Sequence, residues 1–369
     1  MPELFRYNQP ITLESGASLP AFHLAYTTHG QLNESGDNVV WVFHALTANS
    51  DPAEWWPGLV GEDKLFDPSV YFIVCVNMPG SCYGSSCPLD KDPRSKEPYY
   101  HDFPLFTTRD MVRAYRPLKE FLGIKKIYIG IGGSMGGQQL LEWAIEEPEL
   151  FRFIFPIATN AQHSAWGIAF NTSQRMAIET DGTWRERKDD AGLQGMKAAR
   201  ATALLSYRNY ETYLKLQPRG DGYLVERATP GSGKDAASYQ RYQGDKLAKR
   251  FSAFSYYNLS LSMDSHDVGR GRGGVEKALK QVRAATLVIG IDTDILFPLT
   301  EQLLLASLIP GASFQSIYSL YGHDGFLLES AEIERLVKAY IRDKSVNLHS
   351  FSMGPAAGPQ TINQFNGNT

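Results

Sequence analysis

The chain alternates short, almost wholly apolar runs with longer stretches whose apolar positions recur at helical spacing. VVWVFHAL (39–46) and YFIVCVNM (71–78) hold few polar residues, as does KKIYIGI (125–131) after its two lysines. Such runs predict strands covered on both faces, the pattern of a largely parallel sheet sandwiched between helices. TTRDMVRAYRPLKEFLG (107–123) predicts a helix capped at Thr108, with Met111, Val112, Leu118 and Leu122 on its apolar side, a kink at Pro117 and a stop at Gly123. MGGQQLLEWAIEEP (135–148) predicts a second helix ended by Pro148, and FRFIFPIAT (151–159) a further strand.

The rhythm then changes. From about 164 to 281 strand signals fade, and amphipathic pieces such as AFNTSQRMAIET and LQGMKAARATALLSYRNYETYLKL take over. Alternation resumes with ATLVIGI (285–291), EQLLLASLI (301–309), SFQSIYSL (313–320) and AEIERLVKAYIRD (331–343). The expected organisation is one discontinuous α/β core, residues 1–163 and 282–343, interrupted by a helical lid at 164–281. Residues 344–369, rich in Gly, Pro, Asn and Ser, are expected to form a poorly ordered tail.

Composition narrows the partners. At 369 residues and 43% hydrophobic the chain can bury a large core, and a net charge of -4 gives no field that would draw it to nucleic acid or an anionic membrane. The opening MPELFRYNQP lacks the basic and apolar regions of a secretory signal, and no uncharged apolar stretch of about 18 residues occurs, so a cytoplasmic location is expected. Three cysteines, Cys75, Cys82 and Cys87, cannot complete a disulfide framework. Cys82 and Cys87 lack further ligands at zinc spacing, so neither a metal nor a tightly bound cofactor is expected.

Candidate chemistry centres on GIGGSMGGQQ (130–139). Gly132, Ser134 and Gly136 fit G-x-S-x-G, in which a serine sits on a strained strand-to-helix turn too tight for β-carbons on either side. With 33 glycines in 369 residues and ordinary serine usage, about 0.2 chance matches are expected, so the motif alone decides little. Its place between a predicted strand and a predicted helix gives it weight. A serine nucleophile needs a base and an orienting acid, which in this architecture follow in the order Ser, Asp or Glu, His. IDTDILFP offers Asp292 and Asp294 just past the strand 285–291, and YGHDGF offers His323 just past 313–320. Asp294 is the expected acid and Asp292 a turn residue. The oxyanion donors are expected to be the backbone N–H groups of Met135 and Leu46, with His44 shaping the loop that carries Leu46. The remaining histidines, 23, 29, 101, 163, 266 and 349, read as surface or core residues.

Two other motifs fail on context. GRGRGG (269–274) formally fits G-x-G-x-x-G, but no buried strand precedes it; Arg270 and Arg272 read as solvated loop residues or, alternatively, as an anion site. PGSGKD (230–235) resembles the end of a phosphate-binding loop, yet Ala228 stands at the first glycine position and Asp235 replaces the Ser or Thr.

The blocks HALTANS, GSCYGSS, FPLFTTRDMVRA, GGSMGGQQLLEWA, HSAWGIAFN, QRMAIE, MDSHDVGRGRG, DTDILFP and YGHDGF resemble, in order, those of the homoserine O-acetyltransferase family, over about residues 5–343. The resemblance implies an α/β-hydrolase fold and transfer of acetyl from acetyl-CoA to the hydroxyl of L-homoserine, a step of methionine biosynthesis. It implies a triad of Ser134, Asp294 and His323, with Ser134 carrying the acetyl group between donor and acceptor. It also implies that Arg175, in QRMAI, grips the substrate carboxylate, that Asp324 meets the ammonium, and that the chain pairs as a homodimer through lid helices. Two positions depart from the family pattern: Ala48, where HALTG would place glycine, and Cys87, where a glycine would precede Pro88. Succinyl-CoA as donor, serine as acceptor, and an esterase using water remain open alternatives.

Overall fold

The computed structural model describes residues 1–217 and 235–352. The main sheet has eight strands: β1 (Glu3–Tyr7), β2 (Phe22–His29), β3 (Val39–Phe43), β4 (Phe72–Val76), β5 (Ile127–Gly133), β6 (Phe151–Ile157), β7 (Ala285–Ile291) and β8 (Ser313–Ile317). Their spatial order is β1-β2-β4-β3-β5-β6-β7-β8. The pairs β1–β2 and β2–β4 are antiparallel, and every other pair is parallel.

The central strands explain the uninterrupted apolar runs. Trp41 and Phe43 of β3 face a cluster with Tyr115 and Trp143, while Val40 and Val42 face Trp56, Phe66, Ile333 and Val337 on the other side. Because both faces are covered, alternation disappears, and all five residues of β3 are buried. β1 and β2 went unseen in the sequence for the complementary reason. β1 is an antiparallel edge with only partial burial, so ELFRY carries no long apolar signal.

On one face lie α1 (Thr108–Phe121) and α2 (Met135–Glu146). The cap of α1 is Thr107, not Thr108: Thr107 Oγ1 accepts from the Asp110 N–H at 3.1 Å, and the Asp110 carboxylate accepts from the Thr107 N–H at 3.1 Å. That reciprocal box satisfies two first-turn donors and fixes the helix start one residue earlier. Arg270 and Arg272 are bound to carboxylates of the fold and form no anion site. Arg270 pairs with Glu14 at 2.7 Å, and Arg272 with Glu142 and Glu146 at 2.7 and 3.0 Å. Arg109 bridges Glu14 and Glu142 in the same network, so the GRGRGG loop is held to α1 and α2.

Between β6 and β7 the chain forms α3 (Ala165–Glu179), α4 (Leu193–Tyr207), α5 (Tyr210–Leu216), α6 (Ala236–Ala248) and α7 (Ala253–Asp264). α4 is the hub: it packs on α3 and α6 and reaches the turn Gly322–Asp324 after β8. α8 (Leu299–Leu308) follows β7, and α9 (Ser330–Ser352) closes the described chain. Its backbone continues past Lys344, since no Gly or Pro interrupts the sequence before Gly354. Residues 353–369 lie outside the described residues, as does PGSGKD apart from Asp235, which caps α6 through the Ser238 N–H at 2.9 Å.

Candidate active site

β5 delivers Ser134 to the carboxyl edge of the sheet, and α2 starts at the next residue. The turn is severe: Ser134 has φ 57° and ψ -129°, a conformation rare for a residue with a side chain. Two glycines make it possible. A β-carbon on Gly132 would lie 2.6 Å from the Gly136 carbonyl carbon, and one on Gly136 would strike the Phe43 carbonyl of β3. The strained serine is clamped by its own backbone. Its N–H donates to the Ile157 carbonyl at 3.0 Å, and its carbonyl accepts from Thr159 Oγ1 at 2.8 Å.

The turns after β7 and β8 bring the distant partners to it. His323 Nε2 lies 2.9 Å from Ser134 Oγ, and His323 Nδ1 lies 2.6 Å from Asp294 Oδ2. Asp294 is itself fixed, because Oδ1 accepts from the Leu296 and Phe297 N–H groups at 2.8 and 2.9 Å. Asp292 is exposed. The His323 ring stacks on Phe297 and is tilted against Phe326 and Tyr207. Burial opposes a charged imidazolium, but the Asp294 carboxylate outweighs it, and the His323 pKa is raised above the ordinary histidine value. The three side chains are all buried.

Met135 opens α2, where a first-turn N–H has no intrahelical acceptor. Leu46 lies in the loop after β3 and lines the same pocket as Ser134. Among the described residues no acceptor is found for the Leu46 N–H. His44 holds this loop: its Nδ1 donates to the Ala45 carbonyl at 2.9 Å, and its Nε2 accepts from the Met78 N–H at 3.1 Å. Burial lowers the His44 pKa to about 4, so it is neutral and keeps that acceptor.

A pocket of about 490 Å³ opens over Ser134 and His323, bounded by the 45–49 loop, Tyr207, Arg200, Asp324 and the end of α6. Asp324 lines it and pairs with Arg208 at 3.1 Å. Arg175 does not reach it. Its guanidinium is buried between α3 and α7, bound to Asp264 at 2.7 Å, Ser260 at 3.1 Å and Thr172 at 3.0 Å. That charge is already spent on a structural carboxylate. Two other arginines line the pocket: Arg200 on α4, whose guanidinium lies 5.3 Å over the Tyr207 ring, and Arg250 beyond the end of α6. A signal was available in the sequence, since residues seven apart share a helix face and ARATALLSY places Arg200 and Tyr207 so. Nothing in the pattern showed which face would meet the serine. Of the two departures, Ala48 lines the pocket, whereas Cys87 is buried away from it, its N–H donating to Asp90 at 3.1 Å.

A family model of the alpha/beta hydrolase fold matches residues 38–330. A homoserine O-acetyltransferase of Cyclobacterium marinum is 48% identical over 338 residues, 92% of this chain and 94% of that protein. The chain belongs to the homoserine O-acetyltransferase family. A second family member, from Chlorobaculum tepidum, is 41% identical over 94% of the chain and 96% of its own length. Among solved structures, a homoserine O-acetyltransferase from Bacillus anthracis superposes with a TM-score of 0.84 at 22% identity, covering 92% of this chain and 97% of its own. Esterase E22 superposes with a TM-score of 0.82 at 21% identity, covering 92% of this chain and all of its own, so the family shares its fold with hydrolases.

Proposed function

We propose that this chain transfers acetyl from acetyl-CoA to the side-chain hydroxyl of L-homoserine by a two-step route through an ester on Ser134. The observation that carries this reading is the pairing of a buried Ser–His–Asp relay with a pocket that also holds a cation and an anion for a zwitterionic acceptor. In the first step His323 Nε2 takes the Ser134 proton as Oγ attacks the thioester carbonyl, and Asp294 stabilises the imidazolium. The Met135 and Leu46 N–H groups hold the oxyanion, and the thiol departs with the proton from His323. In the second step His323 deprotonates the homoserine hydroxyl, which attacks the ester and frees Ser134. In each half His323 hands the proton it has taken to the leaving group, the CoA thiolate first and Ser134 Oγ second, so one base serves both.

Arg200 is assigned the acceptor carboxylate, which a guanidinium can bind through two parallel bonds. Burial raises the Tyr207 pKa, so its phenol stays protonated beside Arg200. Asp324 is assigned the ammonium, its carboxylate being shared between that ammonium and Arg208. Replacement Arg200→Ala is expected to raise KM for homoserine by about 100-fold, through loss of a charge-assisted pair, while changing KM for acetyl-CoA much less. Steady-state kinetics with each substrate varied would check it, and an equal change in both constants would reject the assignment.

The esterase reading has one observation in its favour, since the acetyl esterase MekB superposes with a TM-score of 0.78 at 25% identity. The two are separated by CoA release from acetyl-CoA, followed with and without homoserine, with serine and succinyl-CoA as alternative partners. Release is expected to be fast only with homoserine and acetyl-CoA together. Equal release in plain buffer would make the chain a hydrolase.

Exposed apolar residues on α3, α4 and α5, among them Trp166, Met176, Leu205 and Leu214, support pairing of two copies through the lid. No helix of the described residues is long and apolar enough to cross a membrane. A cytoplasmic location follows from the proposed substrates, an amino acid and a CoA thioester.

A further inference from the structure

The mouth of the pocket carries charge that the acceptor does not use. Lys246, in the last turn of α6, and Arg250, just beyond its end, both line the pocket and are exposed. Among the described residues neither has a carboxylate partner; Asp245, next to Lys246 in the chain, pairs with Lys197 at 2.9 Å. Glu54 lines the same pocket and accepts from the Asn49 amide at 2.7 Å. Arg250 is held in place without being neutralised. Its Nη1 donates to the Thr47 carbonyl at 2.7 Å and to the Tyr83 hydroxyl, which leaves Nε and Nη2 free among the described residues.

We propose that Lys246 and Arg250 bind the phosphate groups at the nucleotide end of the acyl-CoA donor. This rests on the acyl-transfer reading above and extends it from the acetyl group to the far end of the same molecule. An acyl-CoA is a polyanionic nucleotide on a thin, uncharged arm that ends in the thioester. With the thioester carbonyl at Ser134, an arm laid along the pocket past the 45–49 loop brings the phosphates toward Lys246 and Arg250, which line the same pocket. A guanidinium fork and an ammonium point charge are the groups that recognise phosphate oxygens there. The contact to Thr47 also ties phosphate binding to the loop that carries Leu46.

The test compares acetyl-CoA with S-acetylpantetheine, which keeps the arm and thioester but lacks every phosphate. Lys246→Glu is expected to raise KM for acetyl-CoA about tenfold relative to KM for S-acetylpantetheine, and Lys246→Arg to restore the wild-type ratio. Arg250→Gln is expected to move the ratio the same way. Because Arg250 also holds Thr47, Lys246 is the cleaner probe. Adenosine 3′,5′-bisphosphate is expected to compete with acetyl-CoA in the wild type and about tenfold more weakly in Lys246→Glu. Raised salt should weaken acetyl-CoA more than the truncated donor. If the wild type transfers acetyl from acetyl-CoA and the ratio of KM values is the same in Lys246→Glu, this assignment is overturned while the function stands. If the wild type uses neither donor, the acyl-transfer reading falls and takes this one with it.

Discussion

Replacing Ser134 by alanine is expected to lower acetyl transfer by about a millionfold, the scale on which losing the nucleophile disables a Ser–His–Asp relay. The backbone conformation at 134 already accommodates a β-carbon, and the Ile157 and Thr159 bonds are made by main-chain atoms, so the fold survives the change. Thermal unfolding should therefore shift by no more than a few degrees, which separates lost chemistry from lost structure. Intact-mass measurement after brief exposure of the wild type to acetyl-CoA, without acceptor, is expected to show one acetyl group, and fragmentation to place it at 134. Homoserine added afterwards should remove it. Transfer by Ser134→Ala within tenfold of wild type, or an acetyl group that maps elsewhere, would refute the two-step route.

Asp294→Asn is expected to reduce kcat about ten-thousand-fold with the fold intact, because it reverses the histidine tautomer. Oδ1 of Asp294 accepts two backbone N–H groups, and an asparagine carbonyl at that position would keep both. Its amide nitrogen would then face His323 Nδ1 and donate to it. Nδ1 would have to be bare, and the proton would move to Nε2, where it blocks acceptance from Ser134. The pH profile gives an independent readout. His323 acts as a base only when neutral, and Asp294 raises its pKa against burial, so the acid limb of wild-type kcat/KM should fall above the ordinary histidine value of about 6.5. In Asp294→Asn burial is opposed only by the weaker pull of Asp324, so the neutral ring is favoured. The acid limb should move to lower pH while the plateau collapses. An acid limb that stays in place would mean that another group sets it.

The candidate site was legible wherever chemistry is tied to a position along a strand. Ser134, Asp294 and His323 each follow the carboxyl end of a strand that the apolar runs announced, and that edge is where an open α/β sheet gathers its loops. Met135 follows from Ser134 by being the next residue. Arg175 shows where such reasoning stops. Arg175 and Arg200 both lie on amphipathic lid helices, and each has the composition of a plausible carboxylate binder. What separates them is that Asp264, some ninety residues away, folds against Arg175, while α4 turns Arg200 toward the serine. Arg270 and Arg272 repeat the lesson, since their partners Glu14 and Glu142 lie 256 and 130 residues earlier in the chain.

By itself, the sequence determined the parallel core, the places of Ser134, Asp294 and His323 past three strand ends, and the run of helices between β6 and β7, because burial on two faces and tight turns both leave local patterns. Only the tertiary structure decided which cations are neutralised and which remain free over the pocket. A charge finds its partner through space, and the lid helices approach the sheet at distances and rotations that no local spacing encodes.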